Sequence, residues 1–314
     1  MERIGPWLQR SWDRRAAGNF IAGGSGSGLA IVAALDAFWS GDPKPAAFAV
    51  AASLIALGLL LVWFEIGRPW RFLHVFFHPQ TSWMTREATL APLFLLALAA
   101  AAWSGPSTGS GWALAALAAF LAFAFLYSQA RILRAAQGIP AWREGALVPL
   151  FLATGFAEGA GLFLALFALS AAIPFTGGPF TGGPFAGGPF AGGPFVAGLA
   201  LAAILAREIA WRAYRRSLAH RGAPKGALEA LKAIDLPVLF LGTLAPFFLI
   251  AAALAFPRAA GLLALAGGVL AVLAGWLIKA VVVTRAAFTQ GFALPHLSRL
   301  APAAGGKSAR PGWS

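Results

Sequence analysis

Eight long apolar runs, separated by short polar connectors, constrain the fold of this chain more than any other feature. The runs cover residues 19–39, 46–66, 88–103, 112–133, 147–173, 195–211, 234–256 and 259–288. A helix that rises about 1.5 Å per residue needs about 20 apolar residues to cross the hydrocarbon core of a bilayer. Backbone polar groups in lipid must bond within their own segment, which favours helices. The sequence therefore predicts an all-α polytopic membrane protein, a bundle of eight transmembrane helices.

The composition agrees with a membrane protein and excludes several other classes. The chain is 59% hydrophobic and only 11% charged, whereas charge approaches a quarter of the residues in soluble domains. It contains no cysteine, which excludes a disulfide framework and a Cys-ligated iron–sulfur cluster within this chain. The net charge of +13 resembles that of a nucleic-acid-binding protein. However, Lys and Arg lie between the apolar runs, where they set topology and meet lipid headgroups, so we expect no nucleic-acid partner.

The positive charges also predict the orientation of the bundle. Of the 24 Lys and Arg residues, all except Lys44 and Arg258 lie on one side, which carries both termini and the even-numbered connectors. Cytoplasmic loops carry the excess of Lys and Arg in membrane proteins. Both termini are therefore predicted to be cytoplasmic.

The domain organisation follows from the same runs. We expect one eight-helix transmembrane domain over residues 1–300 and a disordered C-terminal tail over residues 301–314. Residues 173–195 repeat the motif Gly-Gly-Pro-Phe without any charge. Because Pro removes backbone donors and Gly raises chain entropy, this segment is predicted to be a low-complexity loop on the non-cytoplasmic side.

One connector, residues 65–87, concentrates polar side chains at the predicted membrane surface. A quinone needs hydrogen-bond donors for its carbonyl oxygens, apolar walls for its ring, and a route for protons. The connector offers donors, a titratable imidazole and carboxyl groups for these tasks, namely Arg68, Arg71, Arg86, Trp83, His74, Glu65 and Glu87. Trp and Arg also anchor helix ends at membrane interfaces, and Glu65 can neutralise Arg68 within one helical turn. Each residue taken alone is explained by anchoring, whereas their crowding in one connector favours a binding site.

The first apolar run opens with an unusually glycine-rich stretch that includes Asn19, Gly24 and Gly28. Glycine lets a neighbouring helix or a flat ring approach the backbone, and Gly24 and Gly28 form a GxxxG pair that is typical of tight helix packing. All four histidines lie outside the apolar runs. A haem held between membrane helices usually takes His ligands at bilayer depth, so no haem is expected.

Charged residues inside membrane spans are costly and are therefore functional candidates. Glu158 is the strongest candidate, because it lies deep in the fifth run among three glycines. It is either a protonated carboxyl in a polar contact between helices or part of a proton path toward the quinone. Asp36, Lys279 and Arg285 lie near helix ends, where snorkelling to the interface accounts for them.

With these residues the chain resembles the membrane-anchor subunits of molybdopterin oxidoreductases. This superfamily includes the dimethyl sulfoxide reductase anchor and the NrfD-type polysulfide reductase membrane subunit. The similarity rests on the eight helices, the opening GNFIAGGSGSG of the first run, and the connector motifs EIGRPWR and TSWMTRE. The connector most resembles the branch with sulfite dehydrogenase and phenylacetyl-CoA:acceptor oxidoreductase anchors.

The resemblance implies a function that composition and spacing do not supply. It implies a subunit of a bacterial inner membrane that binds menaquinone or ubiquinone and has no prosthetic group of its own. Its expected partners are an iron–sulfur subunit of the four-cluster ferredoxin type and a molybdopterin catalytic subunit, here on the cytoplasmic side. By position, Asn19 and Gly24 would line the quinone ring, Arg68, Arg71 and His74 would bind its carbonyls, and Trp83, Arg86 and Glu87 would close the pocket.

Two other functions remain open from the sequence. A transporter or proton-translocating subunit would use Glu158 to carry a coupling ion, although no pair of Gly- or Pro-broken helices in related halves is found. A scaffold would only tether a peripheral enzyme to the membrane. It predicts that replacing Arg68 or His74 leaves quinone-dependent turnover unchanged.

Overall fold

The computed structural model describes residues 2–65, 69–104, 109–172 and 193–294, and it confirms the helical bundle with eight helices long and apolar enough to span a membrane. In chain order the α-helices are α1 (Arg14–Ser40), α2 (Pro45–Glu65), α3 (Trp83–Trp103), α4 (Gly109–Ala135), α5 (Pro140–Arg143), α6 (Leu147–Ala172), α7 (Gly193–His220), α8 (Lys225–Ala233), α9 (Asp235–Pro237), α10 (Ala245–Ala255) and α11 (Ala260–Ala280). A 3₁₀-helix covers Pro69–Phe77, and π-helical turns cover Val238–Leu244 and Val281–Arg285. Two short strands, β1 (Glu2–Ile4) and β2 (Phe292–Leu294), pair antiparallel.

Two helices, α1 and α3, begin several residues before their apolar runs, and a side chain caps each of them. The Asp13 carboxylate accepts a hydrogen bond from the backbone N–H of Arg15 at the start of α1. The Ser82 hydroxyl accepts one from the N–H of Thr85 at the start of α3. The side chain and backbone N–H of Arg15 also hold the pKa of the Asp13 carboxyl below its ordinary value. Such caps satisfy backbone donors that the first helical turn leaves free, so polar residues can open a membrane helix.

Helix α7 extends well beyond its apolar run, which is a correction to the predicted connector. The run ends at Trp211, but the helix continues to His220 and includes Arg212, Arg215 and Arg216. Arg, Ala and Leu have high helix propensity, and the charged face of the helix is partly exposed. Much of the basic segment that sequence placed in a connector is therefore a helical extension.

Helix α1 occupies the centre of the bundle and packs against α2, α4, α6 and α11. It crosses α6 at close range, since a Cβ added at Gly28 would collide with the carbonyl oxygen of Gly155 and crowd Gly159. Small residues permit such close backbone approach in membranes. Gly28 therefore lies at a tight contact between two helices, as the GxxxG pair predicted.

The chain ends meet on one side of the bundle. The backbone N–H of Gln9 donates to the carbonyl of Ala287, and that of Thr289 donates to the carbonyl of Trp7. Residues 173–192 of the predicted Gly-Gly-Pro-Phe loop and the predicted tail at 301–314 lie outside the described residues, while residues 193–195 belong to α7.

Candidate functional site

A cleft of about 140 Å³ lies at the end of the bundle where α1 and α3 begin and α2 and α4 end. Hereafter called the surface cleft, it is lined by apolar and polar side chains that include Trp12, Asn19, Phe20, Glu65, Met84 and Glu87. Three residues predicted from sequence to bind a quinone, Asn19, Glu65 and Glu87, therefore share one cavity. Two carboxyl groups and an amide beside aromatic and aliphatic walls can hydrogen bond to a flat ligand and exchange protons with it.

Glu87 is held from the protein side by Gln129 of α4. The Gln129 side-chain amide donates to Glu87 Oε1 at 3.0 Å and to the backbone carbonyl of Asn19 at 3.3 Å. Both Asn19 and Glu87 are largely buried although they line the cleft. Among the described side chains, the oxygens Asn19 Oδ1 and Gln129 Oε1 are buried without a hydrogen-bond partner. Unpaired buried acceptors are costly, so these two oxygens leave unused hydrogen-bonding capacity in the residues that hold Glu87.

Trp83, which precedes the cleft residue Met84, packs against two guanidinium groups. Arg86 lies 4.2 Å and Arg131 lies 4.5 Å from the centre of its indole ring. Arg131 also donates to the Tyr127 hydroxyl at 2.7 Å. Arg86 donates to the carbonyls of Pro79 and Gln80 at 3.0 and 2.8 Å, so its guanidinium holds the connector in place. The structure thus places Trp83 and Arg86 in a surface cation–π cluster at the start of α3.

The remaining connector residues are not joined to the cleft in the described structure. Arg68 lies outside the described residues, and only the backbone of Arg71, in the 3₁₀-helix Pro69–Phe77, is described. His74 is exposed and makes an edge contact with Phe77, with ring centres 5.8 Å apart. His74 is accessible from the surface, and no contact in the described residues brings it to Glu87.

Gly24 belongs to a second polar group, not to the surface cleft. A Cβ added at Gly24 would collide with the Lys279 ammonium and lie 3.6 Å from Glu158 Oε2. Lys279 Nζ bonds to Glu158 Oε2 at 2.6 Å, and both side chains are fully buried. The Ser25 hydroxyl donates to the same Glu158 oxygen at 2.9 Å and accepts from the Trp276 indole N–H at 2.9 Å.

Arg207 of α7 completes this second group, which we call the ion cluster and define as Glu158, Lys279 and Arg207. Its side chain is fully buried and donates to the carbonyl of Ala271 at 2.6 Å and to that of Gly242. Gly242 lies in the π-helical turn Val238–Leu244, and such turns release carbonyls from the regular helical ladder. Arg207 interacts electrostatically with both Glu158 and Lys279.

The predicted snorkelling of Asp36 and Lys279 is wrong. Both side chains are buried, at 2% and 0% exposure, whereas Arg285 is exposed as expected. Lys279 turns inward because Glu158 supplies an opposite charge at the same depth, which compensates part of the desolvation cost. The sequence does not reveal the partner of Glu158, because Lys279 is on another helix, far along the chain.

Two adjacent glycines separate the surface cleft from the ion cluster. A Cβ at Gly23 would collide with the Gln129 amide, while one at Gly24 would collide with Lys279. The two polar groups therefore approach α1 at neighbouring positions from different sides. Ser25 lies six residues beyond Asn19, which places the ion cluster about 9 Å deeper along the helix.

Sequence reasoning missed Gln129 and Arg207 as site residues. Gln129 follows Ser128 inside a long apolar run, and this polar pair was an available signal. Arg207 lies five residues before the first of three further arginines of α7, so its charge looked like part of the basic connector. In the described part of the chain, no group of three His, Asp or Glu side chains is arranged to hold a metal ion.

Eight helices long enough to span a membrane, of which the glycine-rich α1 is central, and a polar cleft at one end of the bundle define a multi-pass membrane protein. The family model for NrfD, polysulphide reductase, matches residues 9–173, which is more than half of the chain. This protein therefore belongs to the NrfD family. Members of that family are quinone-interacting membrane subunits of polysulfide and molybdopterin oxidoreductase complexes, in which they associate with iron–sulfur and molybdopterin subunits. The chain matches none of the curated proteins to which it was compared.

Proposed function

We propose that this protein is the quinone-reactive anchor of a multi-subunit molybdopterin oxidoreductase in a bacterial inner membrane. It would exchange electrons between menaquinone or ubiquinone and a docked iron–sulfur subunit. The observation that carries the proposal is the meeting of Asn19, Glu65 and Glu87 in one surface cleft beside aromatic walls. Membership of the NrfD family supports it independently.

Within this proposal the chain contributes binding and proton handling. Asn19 and Glu87 would hydrogen bond to the polar edge of the quinone ring, and Gln129 would fix the Glu87 carboxyl in place. Glu65, in the last turn of α2, is half-buried and would pass protons between the cleft and the aqueous surface. Arg68, Arg71, His74, Trp83 and Arg86 remain proposed ligands or closing residues of the quinone pocket.

Quinone binding to the purified full-length chain tests the proposal directly. Short-chain ubiquinone and menaquinone analogues should quench tryptophan fluorescence in a saturable way, because Trp12 lines the cleft. Glu87→Gln should weaken binding about tenfold, which corresponds to about 1.4 kcal/mol. Ser128→Ala is the matched control, since Ser128 is buried on α4 and its hydroxyl donates, within the described part of the chain, to the Ala124 carbonyl alone. Equal affinities in all three proteins would contradict the proposed cleft.

The iron–sulfur and molybdopterin partners are proposed to dock on the side that carries the chain ends and the basic residues. The positive-inside rule makes this the cytoplasmic side. A reporter that is active only in the periplasm, fused after Ser314, should then be silent. A strong periplasmic signal would reverse the proposed orientation, and native purification should retain a four-cluster ferredoxin-like subunit if the partner assignment holds.

A second candidate function is favoured by the buried Glu158. A carboxylate paired with Lys279 inside the bundle can belong to a proton route, either toward the quinone or across the membrane. Glu158→Gln should slow quinone turnover without loss of assembly if the route serves the quinone. Proton flux in vesicles without quinone would instead favour a proton-translocating subunit or a transporter.

A further inference from the structure

We propose that Lys279 is the group that carries the proton in the ion cluster, with Glu158 as its counterion and Arg207 as a fixed positive charge. This inference rests on the proton route proposed above and names its carrier. It differs from the expectation based on sequence, in which Glu158 itself was the candidate for a proton path inside a membrane span.

The count of buried charges supports this assignment. An arginine side chain stays protonated in proteins, so Arg207 contributes a permanent positive charge. Glu208, the neighbouring residue, is already compensated, since Arg212 Nε lies 2.6 Å from its Oε1 and the Thr243 hydroxyl donates to its Oε2 at 3.0 Å. Within the ion cluster the single negative charge of Glu158 faces the two cations Arg207 and Lys279, so an ammonium at Lys279 leaves the cluster with one excess positive charge.

A buried net charge is strongly disfavoured, whereas a neutral lysine amine is tolerated. The cluster is electroneutral when Lys279 is deprotonated and carries one excess charge when it is protonated. Lysine adapts its protonation to burial far more readily than arginine, so this alternation falls on Lys279. The immobile Arg207, anchored by two backbone carbonyls, sets the charge against which it occurs.

The geometry allows the proton to move within the pair. Lys279 Nζ lies 2.6 Å from Glu158 Oε2, so breaking one N–H bond and forming one O–H bond converts the ion pair to a neutral amine and carboxylic acid. The second oxygen, Glu158 Oε1, is buried and has no hydrogen-bond partner among the described residues. It is free to bond to the next acceptor or donor on the route.

The charged groups that interact with Lys279 in the described structure come from α6 and α7, and α10, which also packs against α11, carries no charged residue. Helix α6 contributes Glu158, and α7 contributes Arg207 and, further out, Glu208. Helix α1 contributes uncharged groups, Gly24 and the Ser25 hydroxyl, and the π-helical turn Val238–Leu244 contributes the Gly242 carbonyl that holds Arg207. Glu158 is the group in direct contact with the ammonium, so the two must titrate together.

Lys279→Arg separates charge from proton transfer. Arginine keeps the positive charge and can pair with Glu158, but it does not release its proton. Infrared spectra of the purified full-length chain, recorded as a function of pH, report the Glu158 carboxyl, whose band is assigned by its loss in Glu158→Gln. We expect a pH-dependent change of this band in the wild type and its absence in Lys279→Arg. The same titration in both proteins would overturn the proposal.

Lys279→Gln provides the fallback if the arginine does not fit, because glutamine retains a donor of smaller volume and also cannot carry the proton. It should abolish the same spectral change, and Ser128→Ala should retain it. In native membranes that contain the whole complex, Lys279→Arg should lower quinone-dependent turnover at least tenfold while quinone affinity stays unchanged. Normal turnover in that variant would show a structural ion pair and overturn the proposal. Absence of quinone-dependent turnover in the wild type would refute the proposed function instead, and the infrared result would still decide the role of Lys279.

Discussion

The surface cleft and the ion cluster lie on different sides of α1, and they differ in how their polar groups are buried. The cleft keeps its carboxyl groups, Glu65 and Glu87, at the end of the bundle, where one cavity remains open beside them. The ion cluster encloses Glu158, Lys279 and Arg207 completely. An open cavity lined by polar groups can admit a ligand, whereas an enclosed set of opposite charges consists of groups that never leave the protein.

The two groups also draw on different parts of the chain. Every side chain that lines the cleft lies within the region that matches the NrfD family model, residues 9–173. The ion cluster takes Glu158 from that region but Lys279 and Arg207 from beyond it. The matched region thus contains the proposed binding site, and the later helices add the charges that complete the buried cluster.

The largest expected effect is a loss of folding stability when the buried ion pair of the ion cluster is broken. Glu158→Leu should destabilise the protein by about 3–5 kcal/mol, because it leaves Lys279 buried without its counterion. The double variant Glu158→Leu, Lys279→Met should recover part of that loss, since it removes both halves of the pair. Thermal unfolding of the full-length chain in detergent measures both. A single variant as stable as the wild type would show that the pair is not closed off from solvent.

Substitutions at two neighbouring glycines of α1 test whether the surface cleft and the ion cluster are separate. Gly24→Ala should disturb Lys279, whereas Gly23→Ala should disturb Gln129 and weaken quinone binding, each with about 1–3 kcal/mol of destabilisation from overpacking. Gly198→Ala is the control, because an added Cβ there meets nothing within 4 Å and alanine favours a helix. Identical consequences for Gly23→Ala and Gly24→Ala would mean that the two polar groups act as one.

Gln129→Leu tests the cleft alone. The substitution removes the amide that bonds to Glu87 and to the Asn19 carbonyl, and it should cost about 1–3 kcal/mol with a matching loss of quinone affinity. The ion-cluster infrared signal should be unaffected. A change in that signal would reveal coupling across Gly23 and Gly24.

The smallest effect is expected at the surface cluster. Arg86→Ala removes a cation–π contact with Trp83 and two hydrogen bonds to the connector, in a partly exposed setting. We expect about 0.5–1 kcal/mol of destabilisation and a modest change in quinone affinity. Loss of binding as large as that of Glu87→Gln would place Arg86 in direct contact with the ligand.

The sequence determined much of the cleft because its residues lie close to helix ends that sequence locates well. Glu65 ends an apolar run and Glu87 precedes the next, so both had to meet the same membrane surface. Asn19 was predicted to line the quinone ring only from the resemblance to the membrane-anchor family. The sequence did not indicate that Glu87 is held by Gln129, since this contact joins α3 to α4 through a side chain that a propensity or hydropathy pattern does not orient.

What the sequence determined by itself is the number of membrane helices, because each needs a long apolar run whatever its neighbours are. Only the tertiary structure decided which side chains meet inside the bundle. By sequence Lys279 is a snorkelling residue near a helix end, but in the structure it pairs with Glu158 of α6. By sequence Arg207 is a surface cation, but in the structure it is buried and donates to the Gly242 carbonyl. In lipid the burial of a charge depends on a partner at the same depth, and that depth is set by how helices pack rather than by any one segment.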